Sequence, residues 1–294
     1  MLAIGGLNIK AYCGFIFMKK ITTLLGLLSF AGAAFAQNGN FPLDTLTNPS
    51  LSNLKVAASV GFESEYVFRG VKYAGYSVQP KVELAYPVAG FDVYAGAWMN
   101  APVQSNKNSA GDLQNLQEID FYTGAAYSYE MITVDMGYTY YWYTAETDGK
   151  NRENEVYAGF TFDTASFLEG VNVNPSIYYF YNFQTQQHVV ETSVGYEFTA
   201  GSYLGVDGLT MPLRAYCGWL SSDRFNGDQT MGPDLNASYM YYGASADVAY
   251  AFNEYCTISA GVRFSQHFNR HGEARELQGS EKRLWYGVKV DFGF

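Results

Sequence analysis

Basic residues, histidines and cysteines are scarce in this 294-residue chain, and each scarcity excludes a class of function. Lysine and arginine number 18 against 28 aspartates and glutamates, so the formal charge of −10 argues against nucleic acid as a partner. Three histidines and three cysteines leave little material for a metal centre, a disulfide framework or a histidine-based hydrolase. The sequence therefore predicts no cofactor, no metal and no catalytic residue.

Long apolar runs are also missing after residue 36, and the run before it indicates export. Lys19 and Lys20 precede the apolar stretch 21–35 and an Ala-x-Ala motif, a combination typical of a cleaved secretory signal. A spanning helix needs about 20 apolar residues, so a later membrane span has to be built of strands. The predicted parts are an upstream extension with a signal peptide at 1–36, a flexible periplasmic lead or plug at 37–53, and an outer-membrane barrel at 54–294.

The last strand shows the pattern on which the fold prediction rests. From Leu284 to Phe294 apolar and polar residues alternate, and an aromatic residue ends the chain. In a soluble protein such a strand invites edge pairing, whereas in a closed barrel it pairs with the first strand and its apolar face meets lipid. The terminal aromatic also resembles the signal that outer-membrane assembly machinery recognises. The residues predicted to form this signal are Tyr286, Val288, Val290, Phe292 and Phe294.

The same alternation recurs in eleven earlier segments. It predicts an all-β fold, a single closed antiparallel up-and-down transmembrane β-barrel of about 12 strands, with both ends of the barrel chain on one side. Turns on that side are expected to be short, and loops such as 100–115 and 221–237 on the other side to be long. The predicted strands are 56–68, 78–86, 91–99, 118–129, 132–143, 155–162, 171–183, 188–198, 209–219, 238–250, 255–268 and 284–294.

Charge falls almost entirely on one face of these strands, and we assign that face to the interior. A lysine or arginine on the lipid side near the midplane costs about 2–4 kcal/mol. A soluble sandwich or lipocalin-like barrel gives the same alternation with the faces reversed, but the signal peptide and the 26 tyrosines, which favour membrane interfaces, support lipid outside. The inner set is Glu63, Glu65, Glu83, Asp92, Glu118, Asp120, Asp135, Glu155, Glu191, Glu197, Asp247, Asp291, Arg69, Lys81, Arg214, Arg263, Arg283 and Lys289.

Two motifs near the start of the barrel resemble a known family. Ser64-Glu-Tyr-Val-Phe-Arg-Gly70, Pro80 and Tyr94-Ala-Gly-Ala-Trp98 are similar to stretches of a family of uncharacterised bacterial outer-membrane β-barrel proteins (Gcw_chp-like). Its members open the barrel with Ser-x-Tyr-x-x-Arg-Gly and later carry Gly-x-Trp. The resemblance covers roughly the first third of the chain and implies the fold. It implies no substrate, since the family has no well-defined activity.

The inner acids exceed the inner bases, so an open lumen would carry a negative field and favour cations. The sequence therefore predicts a porin-like channel for passive diffusion of small solutes across the bacterial outer membrane. The alternative is a plugged structural or adhesive surface barrel, in which Glu63 and Glu65 form a salt-bridge network with Lys81 and Lys289. The candidates for lining the lumen or setting its selectivity are Glu63, Glu65, Arg69, Lys81, Glu83, Glu118, Asp120, Asp135, Glu191, Arg214, Asp247, Arg263 and Lys289.

An outer-membrane hydrolase is a further alternative with less support, because none of the three histidines stands in a His-x-Ser-x-Gly context. The spacing of His267 and His271, and the acids of the loop 221–237, give weak patterns for a metal or for calcium. Cys217 and Cys256 fall on outward faces with one strand between them, too far apart for a disulfide. The expected partners are outer-membrane lipid, the assembly machinery and small solutes, and the oligomeric state stays open.

Overall fold

A computed structural model of the protein describes residues 53–103, 117–144, 152–166, 173–225, 235–272 and 280–294. These residues contain twelve barrel strands, two short strands β2 (Tyr66–Phe68) and β3 (Val71–Ala74), one α-helical turn α1 (Gly201–Leu204) and one 3-10 turn (Thr164–Ser166). Among the described residues, no helix is long and apolar enough to cross a membrane. The barrel strands are β1 (Lys55–Glu63), β4 (Ser77–Val88), β5 (Phe91–Pro102), β6 (Glu118–Tyr129), β7 (Ile132–Tyr143), β8 (Arg152–Phe162), β9 (Ser176–Asn182), β10 (Gln187–Phe198), β11 (Leu209–Phe225), β12 (Leu235–Asn253), β13 (Cys256–Gly272) and β14 (Ser280–Gly293).

The barrel closes between its first and last strands. Around the wall the order is β1-β14-β13-β12-β11-β10-β9-β8-β7-β6-β5-β4, and every neighbouring pair is antiparallel. The seam runs from Ala57 opposite Gly293 to Glu63 opposite Gly287, and two backbone bonds between Val56 and Phe294, of 3.0 and 2.9 Å, extend it. Since a closed ladder leaves no unpaired strand edge, it satisfies the requirement for crossing lipid. The predicted fold class is confirmed.

The two ends of the barrel differ in their connections. Lys55 and Phe294 lie at one end together with two-residue turns such as Ala89-Gly90 and Glu130-Met131, and we call this the turn end. The segment between β1 and β4 and the last residues of β5, β7, β11 and β13 lie at the opposite end, which we call the loop end. The connection between β9 and β10 is also at the loop end, although it is brief.

The wall alternates as predicted, with apolar residues outside and charged residues inside. Val82, Phe121 and Val262 are 47, 47 and 54 % exposed on the outer surface, whereas Asp120 and Asp135 are fully buried on the inner one. This follows from the period of two in a strand. Arg152, Asp223 and Lys282, which do point outwards, lie near the loop end of their strands.

The first strand is where the prediction is wrong. Residues 56–68 were expected to form one strand with Ser64, Tyr66 and Phe68 on the lipid face. Instead β1 ends at Glu63, the chain turns into the lumen, and β2 pairs with β3. A tight turn at Arg69 (φ 47°) and Gly70 (φ 82°) joins Phe68 to Val71 and makes the segment pair with itself.

Other strand boundaries shift for simpler reasons. The ladder between β11 and β12 continues to Phe225 and Leu235, so strand residues replace both ends of the predicted loop 221–237. The strand predicted at 171–183 begins only at Ser176. Cys217 and Cys256 are free and lie on β11 and β13 with β12 between them, as predicted. The predicted signal peptide, the predicted lead up to residue 52, Asp228 and Asp234 lie outside the described residues.

Candidate functional site

Residues 64–76, which we call the lumen hairpin, lie in the loop-end half of the barrel interior, except that Tyr76 at the end of the segment is exposed on the outer surface. The hairpin is a two-stranded sheet of its own, separate from the wall ladder. At its base, the amide of Ser64 donates to the carbonyl of Tyr286 at 2.9 Å, and the amide of Val103 donates to the carbonyl of Tyr76 at 2.8 Å. Within it, Ala74 is fully buried and Tyr66 is 6 % exposed. The hairpin is therefore packed inside the lumen and is not spread over the barrel mouth.

Arg69, at the tip of the hairpin, is bonded to the opposite wall. Its Nη1 and Nη2 lie 2.9 Å from Oε2 and Oε1 of Glu155 on β8, and Nη1 donates to Oε1 of Gln187 on β10 at 2.7 Å. The guanidinium also lies over the rings of Phe180 at 5.1 Å and Phe68 at 4.7 Å. Arg69 and Glu155 are 7 and 1 % exposed. A two-bond fork of this kind is the strongest geometry that arginine and a carboxylate form.

Gly70 seats the tip against the neighbouring wall. Its carbonyl oxygen lies 2.9 Å from Nδ1 of His267. A Cβ at this position would lie 2.8 Å from Cβ of Tyr241 and 3.0 Å from Cβ of His267, and the φ of +82° disfavours any side chain. Glycine is thus required here for both space and backbone conformation.

Tyr66 fixes the first strand of the hairpin. Its hydroxyl donates to Oε2 of Glu118 at 2.9 Å, and its ring centroid lies 5.4 Å from that of Trp98. On the same strand as Trp98, Gly96 leaves room for the ring of Tyr122, which a Cβ would hit. The Ser-x-Tyr-x-x-Arg-Gly and Gly-x-Trp motifs, separate in sequence, therefore form one packed unit.

A second group of charged residues, the seam network, belongs to the wall alone. Arg263 contacts Glu63 through Nε at 3.4 Å and Asp247 through Nη2 at 2.9 Å. Beside it, Lys289 contacts Asp291 at 3.0 Å. These five residues lie on β1, β12, β13 and β14, which include the closing seam.

The ion pairs of Glu63 and Glu65 include partners other than the predicted Lys81 and Lys289. Glu63 contacts Arg263, and Glu65 contacts Lys72 of the hairpin at 2.9 Å and Arg283 at 3.7 Å. Lys81 contacts Glu83 at 2.9 Å on its own strand. The difference arises because Glu65 has left the wall with the hairpin, and because Arg263 on β13 reaches Glu63 past β14.

Three of the remaining candidates accept hydrogen bonds from tyrosines on the inner face of the wall. Asp135 accepts from Tyr94 at 2.7 Å and from Tyr178 at 3.2 Å. Glu83 accepts from Tyr122 at 2.6 Å. Glu191 accepts from Tyr241 at 2.7 Å and from Arg214 at 3.3 Å. Asp120 is fully buried two residues from Glu118 on the inner face of β6.

Side chains fill most of the lumen in this conformation. Asn100, Ser265 and Phe180, on three parts of the wall, are each fully buried. Beside Arg69 there is a cavity of about 40 Å³, lined among others by Tyr143 and Glu153. Because one water occupies about 10–15 Å³ on this measure, the cavity holds a few waters but no sugar-sized solute. Beside Arg69, the lumen therefore leaves no room for a sugar-sized solute.

Four residues of this site escaped the sequence analysis. Tyr66 was placed on the lipid face, and Glu153 precedes the predicted start of its strand at 155. Gln187 and Phe180 are uncharged and gave no signal when charge was sorted by face. One sequence signal was available, since Gly70 and Gly75 follow closely on the predicted first strand, and glycine marks a turn.

Other predicted residues contribute nothing to this site. Among the described residues, no cluster of three or more His, Cys, Asp or Glu side chains is placed to hold a metal ion. His188 faces outwards and bonds the hydroxyl of Tyr179 through Nδ1 at 2.7 Å. Tyr286, Val288 and Phe292 are 51, 41 and 37 % exposed on the outer face of β14, while Phe294, beyond the strand, is 69 % exposed. Their service as an assembly signal, with Val290, stays a prediction.

A closed antiparallel barrel of twelve strands, apolar outside and charged inside, defines the chain as a transmembrane β-barrel. More particularly, the chain belongs to the family described as "Bacterial protein of unknown function (Gcw_chp)", which matches residues 48–270. This confirms the resemblance found in the sequence. No curated protein matches the chain.

Several solved structures are similar to the chain at low sequence identity. A KdgM porin in complex with disordered oligogalacturonate is 7 % identical, with a TM-score of 0.45 over 82 % of this chain and 99 % of that one. A NanC porin is 10 % identical, with a TM-score of 0.43 over 81 and 98 %. An outer membrane channel from Pseudomonas putida F1 is 8 % identical, with a TM-score of 0.48 over 87 and 100 %. At these identities the likeness concerns the fold alone.

Proposed function

We propose that the protein is a porin-like channel of the bacterial outer membrane, that small solutes cross it by passive diffusion, and that the lumen hairpin closes it in the present conformation. The observation that carries this proposal is that the hairpin fills the lumen without being part of the wall. The wall pairs β1 with β4 as far as Glu63 opposite Ser77, directly beneath the hairpin. Withdrawal of the hairpin therefore breaks side-chain contacts and leaves every strand pair of the barrel intact.

The charged inner wall supports a water-filled state. Burying carboxylates and guanidinium groups is costly unless each is paired, and apolar residues would fill a permanently solid barrel at least as well. Glu83, Asp135 and Glu191 instead line the lumen as acceptors, which would be hydrated once the hairpin has left. With acids in excess, we expect the open lumen to favour cations.

Conductance in planar lipid bilayers tests this proposal. We expect rare openings of the wild type and frequent, cation-selective steps from Arg69→Gln, which removes the ion pair and keeps most of the side-chain volume. The reversal potential in a salt gradient should shift towards anions when Glu63 and Glu65 are both replaced by Gln in the Arg69→Gln background. An unchanged reversal potential would remove both residues from the conducting path.

A plugged structural or adhesive surface barrel is the second candidate. Its specific support is the near-complete burial of inner side chains such as Asn100 and Ser265 on both sides of the hairpin. This reading predicts electrical silence for the wild type and for Arg69→Gln alike, even at high protein load. The same bilayer experiment therefore separates the two candidates. We propose no enzymatic activity, and phospholipid hydrolysis by the folded barrel would contradict that.

A further inference from the structure

The wall opposite the seam carries a complete set of contacts for one chemical group. Glu155 on β8 offers both carboxylate oxygens, Gln187 on β10 offers its side-chain oxygen, and Phe180 on β9 offers a ring face. Tyr141 on β7 donates to Oε1 of Glu155 at 2.9 Å and so fixes the plane of the carboxylate. All four side chains are at least nine-tenths buried. They come from four consecutive wall strands, so the arrangement does not depend on the hairpin.

These contacts match a guanidinium group better than any other cation. A planar fork of N–H donors fits two carboxylate oxygens, a further N–H reaches the amide oxygen, and the flat face lies against an aromatic ring. An ammonium group is a compact point charge and cannot form the two parallel bonds to Glu155 while also stacking on Phe180. At present the guanidinium of Arg69 fills the site.

The backbone conformation at residue 69 does not favour an arginine. The contacts of the side chain, and not the turn, therefore explain why an arginine stands at this position. Two-residue turns with positive φ at both central positions favour Asn, Asp and Gly, and an arginine at a φ of 47° is strained. The strain is tolerated because the side chain gains the bonds to Glu155 and Gln187. Arg69 therefore behaves as a ligand that is tethered to the hairpin.

We propose that Glu155, Gln187, Phe180 and Tyr141 form a binding site for solutes that carry a guanidinium group or a similar planar organic cation, and that Arg69 is its tethered competitor. A solute of this class, entering from the loop end, displaces Arg69 and thereby releases the hairpin. The passage of such a solute rests on the proposed channel function, whereas its binding to the wall does not.

Calorimetry on folded protein in detergent micelles tests the site with methylguanidinium as the probe. We expect one binding site in Arg69→Ala, and binding to the wild type weaker by about tenfold or more, because the tethered group competes. Methylammonium is the matched probe of equal charge and should bind Arg69→Ala about tenfold more weakly than methylguanidinium does. Arg69→Ala combined with Glu155→Gln should abolish the methylguanidinium signal. Absence of binding to Arg69→Ala, or equal binding to the double variant, would overturn the proposal.

A second measurement needs no variant and covers the case in which Arg69→Ala does not fold. Amide hydrogen exchange of residues 66–74 in the wild type should accelerate with methylguanidinium and stay unchanged with methylammonium or sodium at equal ionic strength. Unchanged exchange with methylguanidinium would contradict the competition. Binding without any conductance would retain the site and reject the channel, whereas conductance without binding would do the reverse.

Discussion

The lumen hairpin and the seam network solve the same electrostatic problem in two ways. Both pair buried arginines with carboxylates, Arg69 with Glu155 and Arg263 with Glu63 and Asp247. In the seam network every partner stands on a wall strand, whereas in the hairpin the arginine stands on a separate sheet. Breaking the ion pairs of the seam network should weaken the wall and leave the lumen filled. Breaking the contact of Arg69 should clear the lumen and leave the wall intact. Stability and closure are therefore assigned to different arginines.

The largest expected effect comes from removing the hairpin altogether. Residues 65–75 can be replaced by a short glycine-serine turn, because Glu63 and Ser77 are already paired. We expect conductance in planar bilayers to change from rare openings to a permanently open state, with a barrel that still shows heat-modifiable migration on gels. A folded but silent variant would show that wall side chains alone close the lumen.

Removing Arg263, the central cation of the seam network, should lower the free energy of unfolding of the barrel. Arg263→Ala leaves Glu63 and Asp247 buried without their guanidinium partner, which costs about 3–5 kcal/mol. Denaturant titration of the barrel in lipid vesicles measures this loss, and conductance should stay at the wild-type level.

Arg283→Ala is the matched control for Arg263→Ala. Arg283 is more exposed, contacts Glu65 at 3.7 Å and also contacts Glu281, so we expect a loss of at most about 1 kcal/mol. Equal losses for the two variants would mean that burial does not distinguish them.

A smaller effect is expected at the tip of the hairpin. Gly70→Ala introduces a Cβ at 2.8 Å from Cβ of Tyr241 in a left-handed backbone conformation, at a cost of about 1–3 kcal/mol. Because the clash lifts the tip from the wall, the opening frequency in bilayers should rise.

Gly90→Ala isolates the backbone strain. Gly90 has a φ of +91° in a turn-end connection, and a Cβ added there would meet Cε2 of Tyr127 at 3.6 Å, an ordinary van der Waals contact. Gly90→Ala should lower the free energy of unfolding without raising the opening frequency in bilayers. Opening by both variants would show that strain anywhere in the barrel loosens the hairpin.

The smallest expected effect is at Tyr66. Tyr66→Phe removes the bond to Glu118 and keeps the ring against Trp98, which costs about 1 kcal/mol. Tyr66→Leu removes the ring contact as well and should accelerate hydrogen exchange of the hairpin further. Identical exchange rates for the two variants would place the whole contribution in the hydroxyl.

The sequence predicted the wall well because lipid enforces a strict alternation there. The predicted strands 118–129 and 132–143 coincide with β6 and β7, and twelve of the 18 charged residues assigned to the interior are buried. Alternation alone does not distinguish a wall strand from a short hairpin, since both have a period of two. For this reason the sequence pattern assigns residues 64–68 to the first strand, although they belong to the hairpin.

The partners across the lumen could not be predicted for a different reason. Which side chains meet there depends on the stagger of the whole closed sheet and not on any local pattern. The bond between Arg69 and Glu155 spans 86 positions in sequence. Nothing in the sequence distinguishes Gln187 and Phe180 from other polar and aromatic residues. Their common contact with the guanidinium of Arg69 is visible only in the folded barrel.

One consequence of the Arg69 contact is mechanical. Arg69 lies in the connection between β1 and β4. Its partners Glu155 and Gln187 lie on the two strands that flank β9, and β9 is opposite β1 in the ring of twelve strands. The hairpin therefore connects opposite sides of the barrel across the lumen. Because N–H···O hydrogen bonds span about 2.7–3.2 Å, a change in the cross-section of the barrel of more than a few tenths of an ångström alters these bonds. The cross-section of the barrel and the position of the lumen hairpin are therefore coupled through Arg69.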